Sequence, residues 1–207
     1  MLRPLMSVVF LMCVTGLAQD LLPGHIEARA LGGMNYDLTN YDSLDRFFPG
    51  VDLRAALKTG RIHPTYAFEA AVGLTRWAAL VGSYTHNQRS DAKLPNCEGT
   101  LCDVSRADHR RHEFMGGFRA SLPTQTRFAP YAQISVGAIR ESWDTLVLLP
   151  SIPPLPPKAV TRFAVEPGVG VNVMLTRHLG VTLDVRGVKA LDFDWAFRTT
   201  GGVLWRF

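Results

Sequence analysis

The sequence predicts an all-β chain folded as an eight-stranded antiparallel up-and-down transmembrane β-barrel. Long segments alternate strictly between apolar and polar residues, the period of a strand with two unlike faces. They run for about 10 to 14 residues, where soluble strands average about 5 to 6 and strands tilted across a membrane need about 9 to 11. A Thr-Arg triplet recurs at Thr75-Arg76-Trp77, Thr126-Arg127-Phe128 and Thr176-Arg177-His178, spaced by 51 and then 50 residues. Each triplet separates two alternating segments, and a longer irregular stretch follows each pair. That rhythm of short and long connections belongs to a meander.

The composition agrees with a folded chain. Of 207 residues, 47% are hydrophobic and 19% charged, which excludes disorder. The mean hydropathy of +0.06 is too low for a bundle of membrane helices. The one conspicuous apolar run is at the start. Residues 1–18 carry a single base, Arg3, and no acid, and Leu5 to Ala18 is apolar except for Ser7 and Thr15. Gly16 and Ala18 have the small-residue spacing that a signal peptidase reads, and the run is too short to span a bilayer. Residues 1–18 therefore read as a secretory signal peptide and 19–207 as a single barrel domain. Met12 before Cys13 is not small, which argues against a lipoprotein site.

Each strand follows from its alternation. Ile26, Ala28, Ala30, Met34 and Tyr36 oppose Glu27, Arg29, Asn35 and Asp37. Tyr66, Phe68, Ala70, Val72 and Leu74 oppose Ala67, Glu69, Ala71 and Gly73. The third strand, Trp77 to Gln88, alternates less clearly. In the fourth, Phe114 and Phe118 oppose Glu113, Met115, Gly117 and Arg119. The fifth, Phe128 to Glu141, is again weak. Phe163, Val165, Val169, Val171 and Val173 oppose Arg162, Glu166, Gly168, Gly170 and Asn172. Leu179, Val181, Leu183 and Val185 oppose Gly180, Thr182, Asp184 and Arg186. In the last segment Trp195, Phe197, Thr199, Gly201, Val203, Trp205 and Phe207 share one face. Asp194, Ala196, Arg198, Thr200, Gly202, Leu204 and Arg206 share the other.

The chemistry of the faces sets the orientation. One face is aliphatic with aromatic ends, and the other holds small and ionic residues. A soluble ligand-carrying barrel would be apolar inside and polar outside. The observed pattern fits lipid outside and a packed polar lumen inside. Trp195 and Phe197 lie about ten residues before Trp205 and Phe207, which at about 3.3 Å per residue, tilted, spans an apolar band about 25 Å tall. Trp suits both borders of that band, because its ring is apolar and its N–H reaches water.

Eight long strands, alternating short turns and long loops, and the final Val203, Trp205 and Phe207 resemble the small eight-stranded outer-membrane barrels. That family includes the OmpA transmembrane domain, OmpX and the outer membrane protein beta-barrel domain proteins. The resemblance covers about residues 24–207. It implies an outer-membrane location in a Gram-negative-type cell, reached by secretory export. It also implies a closing strand whose Val203, Trp205 and Phe207 are read by the barrel-assembly machinery. No room follows Phe207 for a peptidoglycan-binding domain, so cell-wall anchoring is not expected.

An even strand number puts both termini, and the three Thr-Arg turns, on the periplasmic side. Four connections then face outward, about Thr39–Pro64, Arg89–Arg110, Ser142–Val160 and Asp192–Asp194. The second holds Cys97 and Cys102. An oxidising exported compartment favours a local disulfide between them, with a metal pair as the rival. The third contains Pro150, Pro153, Pro154, Pro156 and Pro157, a stiff extended tip that either binds a partner or simply resists proteolysis.

The inward face is strongly ionic. Glu27, Asp37, Glu69, Glu113, Glu141, Glu166 and Asp184 are its expected acids, and Arg29, Arg119, Arg162, Arg186 and Arg198 its expected bases. An eight-stranded barrel has interior space only for side chains. Unpaired charges there would be very costly, so the expectation is a salt-bridged lumen that is closed. Glu166 with Arg186, on neighbouring strands, and Glu69 with Arg119, at longer reach, are candidate pairs. A narrow gated ion path is the alternative.

No reaction chemistry stands out. His112 and Glu113 point to opposite faces of a strand, as do Ser83 and His86, so neither pair builds a metal or catalytic site alone. Gly168 and Gly170 have no following helix and read as lumen packing, not a phosphate loop. The pI near 9.2 comes without any Lys/Arg run, so nucleic acid is not an expected partner. The sequence reading is a monomeric, non-enzymatic barrel without cofactor or metal. Its role is structural or surface-binding, and its neighbours are outer-membrane lipid and lipopolysaccharide. An outer-leaflet lipid-modifying enzyme and a narrow channel for ions or apolar solutes are the competing functions.

Overall fold

In a computed structural model, residues 23–37, 62–89, 109–124, 126–143, 158–191 and 195–207 are described. They form β1 (Ile26–Asp37), β2 (Ile62–Gly73), β3 (Ala78–Arg89), β4 (His109–Ser121), β5 (Phe128–Trp143), β6 (Lys158–Met174), β7 (Leu179–Ala190) and β8 (Trp195–Arg206). The eight strands make one closed antiparallel barrel in sequence order. The seam between β1 and β8 is fully paired, from Glu27 opposite Arg206 to Asp37 opposite Ala196. The Phe207 N–H extends that seam by donating to the Ile26 carbonyl at 2.9 Å. Closure of this kind leaves no strand edge to pair with another chain.

Six strands have 12 or 13 residues, within the length the alternation suggested, while β5 and β6 run longer, to 16 and 17. Strand ends reach into stretches that read as loops. Pro64, Arg89, Arg110, Ser142 and Val160 are strand residues, while Trp77 sits in the turn before β3. Pro64 is tolerated because pairing of β2 with β3 begins only at Thr65, so one side of its backbone is free of the ladder there.

The Thr-Arg triplets are turns for a definable reason. Thr75 Oγ1 accepts the N–H groups of Trp77 and Ala78 at 3.2 and 3.0 Å. Thr176 Oγ1 does the same for His178 and Leu179, at 3.2 and 2.9 Å. Thr126 Oγ1 accepts from Phe128 N–H at 3.3 Å. A threonine hydroxyl supplies the acceptor that the tight turn denies to these amides. All three turns, the start of β1 and the end of β8 lie at one end of the barrel, here the turn end. The opposite ends of the strands, joined in sequence through residues 38–61, 90–108, 144–157 and 192–194, are here the loop end.

The outer wall is apolar. Phe68 is 64% exposed, Val169 61% and Leu183 58%, and such side chains recur around the barrel. A continuous exposed apolar surface of this kind marks contact with a membrane or partner and is foreign to a soluble monomer. Trp77, Phe128, Trp205 and Phe207 border it at the turn end, and Tyr36, Tyr66, Trp195 and Phe197 towards the loop end.

Inside, two small apolar clusters flank the polar centre. Met115, Ile139, Ala164, Val188, Ala190 and Ala196 form one, and Ala71, Ala79 and Val81 the other. Between them the interior is ionic.

Candidate functional site

The charged interior assembles because of strand stagger. Stepping across the wall from Gly73, the residues directly opposite one another in register are Ala79, Arg119, Gln133, Gly168, Arg186, Arg198 and Asn35. Three arginines and a glutamine, from β4, β5, β7 and β8, thus project inward at one level, with Gly168 of β6 between them. The row climbs along β1 as it closes, which is the stagger a tilted barrel requires.

Five acids meet this row. Glu27 receives Arg29, Arg119 and Arg206, each at 2.8 Å. Glu69 receives Arg29 at 3.2 Å and Arg186 at 2.8 Å, pairs closely with Arg119, and accepts Gln133 Nε2 at 3.2 Å. Glu166 binds Arg186 at 3.0 Å and pairs closely with Arg198. Glu113 binds Arg198 and Arg111, both at 2.8 Å, and accepts Asn87 Nδ2 at 2.9 Å. Asp184 takes Arg186 at 2.8 Å and the Thr200 hydroxyl at 2.6 Å.

Followed along the lumen, Arg206, Glu27, Arg119, Glu69, Arg186, Glu166, Arg198, Glu113 and Arg111 form one unbroken chain of alternating charge. It runs from the turn end to the loop half of the barrel. Every acid in it is buried, and its arginines are buried except for the half-buried Arg111. Buried ions are tolerated when geometry and extra hydrogen bonds replace lost water, and here each carboxylate has at least two donors.

Tyr131 ties the centre together. Its hydroxyl accepts Arg29 Nη1 at 2.9 Å and donates to Asp184 at 3.1 Å. Its ring centroid lies 4.7 Å from the Arg29 guanidinium carbon and 4.9 Å from that of Arg119, within cation–π reach. Gly170 is the residue that makes room. A Cβ there would stand 2.5 Å from Tyr131 Cζ and Oη, and a Cβ on Gly168 would meet Arg186 Cγ at 2.8 Å. Both glycines are therefore interior spacing elements.

The sequence-assigned residues Glu27, Arg29, Glu69, Glu113, Arg119, Glu166, Asp184, Arg186 and Arg198 all lie in this one network. Arg162 sits apart from it, half-buried towards the loop end, 3.6 Å from Glu141. Val203, Trp205 and Phe207 share the outer face of β8 and its continuation, with the Trp205 and Phe207 ring centroids 6.3 Å apart. The side chain of Asp37, the pair Cys97 and Cys102, the loop prolines and residues 1–22 lie outside the described residues.

The sequence reading did not assign Asn87, Arg111, Tyr131 or Gln133 to the network, and it left Arg206, though placed on the inward face, out of the expected inward bases. Arg206 and Arg111 share their strands' inward parity with Arg198 and Glu113, so the signal was present. Tyr131 and Gln133 lie on β5, where outward Pro130, Ala132, Ala138 and Arg140 blur the alternation that would have placed them.

A closed eight-stranded barrel, apolar outside and ionic inside, defines the class. No family model matches the sequence, and no curated protein matches it. Its fold is similar to three solved outer-membrane barrels. For OprG of Pseudomonas aeruginosa the TM-score is 0.58 at 12% identity, covering 92% of this chain and 99% of that one. For the neisserial surface protein NspA it is 0.55 at 13% identity, covering 88% and 96%. For Ail, the attachment invasion locus protein of Yersinia pestis, it is 0.52 at 11% identity, covering 90% and 100%. At these identities the likeness is one of fold.

Proposed function

We propose that the protein is a monomeric, non-enzymatic integral barrel of a bacterial outer membrane, with a lumen closed by its salt-bridge network. Its work is to hold the loop-end segments at the cell surface in a structural or surface-binding role. The observation that carries this reading is the inversion of the usual protein plan, with exposed aliphatic and aromatic side chains outside and a fully paired ionic chain inside. Lipid is the solvent in which that arrangement is stable. An interior filled by side chains favours a closed lumen over a channel. In this setting the turn end faces the periplasm, and the loop-end half of the wall contacts outer-leaflet lipid and lipopolysaccharide. Residues 1–18 direct export, Cys97 and Cys102 are paired in the oxidising compartment, and the aromatic end of β8 engages the assembly machinery.

The test is membrane fractionation with gel mobility. The protein should partition with the outer membrane and migrate differently before and after boiling, because a closed barrel resists detergent until heated. Identical mobility in a sample shown to be folded would overturn the reading.

A further inference from the structure

The outer wall carries a patch that the lumen does not explain. Every Asp and Glu with a described side chain in the eight strands is on the inner face. Among the described strand residues, the outward Arg, Lys and His side chains have no outward carboxylate beside them, and four of these bases are side by side. His86 on β3 pairs across the wall with His112 on β4, and His112 pairs with Arg140 on β5. One row further towards the loop end, Arg110 lies between Gln88 and Ser142. One row towards the membrane centre, the same strands present Tyr84, Phe114 and Ala138. The surface therefore changes from apolar to cationic within one row, at the depth where lipid tails give way to headgroups.

We infer that His86, Arg110, His112 and Arg140 form a site for the headgroup phosphate of the phosphorylated glycolipid in the surrounding leaflet. The inference rests on the proposed membrane placement. The local geometry is compatible with both histidines as donors. Tyr84 Oη lies 2.8 Å from His112 Nδ1. With the phenol donating to that nitrogen, the imidazole proton is on Nε2. His86 Nδ1 is shielded and has no hydrogen-bond partner among the described residues. A proton there would be an orphaned donor, so Nε2 carries it too. The two rings are tilted at 40° to one another, with centroids 4.8 Å apart. Two imidazole N–H groups and two guanidinium forks thus share one face, and with no carboxylate on the outer face among the described strand residues they suit a multiply charged phosphate. The paired histidines alone resemble a transition-metal site. Arg110 and Arg140 beside them repel a divalent cation and favour an anion.

The test uses the whole protein inserted in phosphatidylcholine nanodiscs and titrated with diphosphoryl lipid A or the same lipid dephosphorylated. Native mass spectrometry counts the lipids retained. Wild type should hold the phosphorylated lipid in preference. Each surface cation contributes about a fivefold factor, so Arg110→Gln with Arg140→Gln should weaken binding about 25-fold. Lys189→Gln, an outward base on β7, should leave it unchanged. Equal retention of the two lipids, or an unaffected double variant, would overturn the site while a heat-dependent gel shift still certified the barrel. Absence of that shift in wild type would overturn the membrane placement, and this site with it.

Discussion

Removing the charge of Glu69 is the sharpest perturbation of the interior. Glu69 stands among three guanidiniums, those of Arg29, Arg119 and Arg186. Glu69→Gln keeps the volume and one amide contact to Gln133 but leaves three cations facing a neutral group. Each pair at about 4 Å is worth about 4 kcal/mol at an effective dielectric of 20, so the gross loss is large. The cations retain other acceptors, Glu27 for Arg29 and Arg119, and Glu166 and Asp184 for Arg186. The expected net cost is therefore about 3 kcal/mol, the lower part of the range for one broken buried pair. Equilibrium urea unfolding in phosphatidylcholine vesicles, read by tryptophan fluorescence, measures it. Adding Arg119→Gln should cost less than its effect alone, with a coupling of about 1 kcal/mol or more. A loss below about 1 kcal/mol would be the behaviour of a solvated ion pair, and would refute a dry, paired interior.

Other perturbations act on other parts of the barrel. Gly170→Val places a side chain where the Tyr131 ring lies and should cost about 3 kcal/mol by overpacking. Gly82→Ala, where an added Cβ meets nothing within 4 Å, should be near neutral in the same unfolding assay. Thr176→Val removes two hydrogen bonds within its turn and should cost about 1 kcal/mol, seen as a lower urea midpoint at unchanged slope. Deleting Phe207 removes the outer aromatic and the hydrogen bond to Ile26 that extends the seam. It should lower outer-membrane levels and raise periplasmic degradation in cells, by fractionation and immunoblot.

Strand parity is a local property, and it was legible where the outer face is uniformly apolar. On β7, Val181, Leu183 and Val185 leave no doubt that Asp184 and Arg186 point inward. From that parity follows a polar lumen, and with it Arg186 beside Glu166. Contacts such as Arg198 with Glu113 depend on the register of several successive pairings, which no single segment specifies. β5 was opaque for a different reason. Its outward Arg140 is part of the cationic patch at the wall's border, so the position that breaks the alternation is the one with its own role. Strand ends were misplaced because Pro64, Arg89 and Arg110 carry loop-like chemistry while continuing the ladder beyond the apolar band.

The central claim is that side chains close the lumen, and single-molecule conductance tests it directly. Wild-type protein is inserted into a planar bilayer, with its folded state verified by heat-dependent gel mobility on the same preparation. No steady current above the bare membrane is expected, because the charged chain from Arg206 to Arg111 occupies the bore. A large, stable conductance through the inserted wild-type barrel would contradict it.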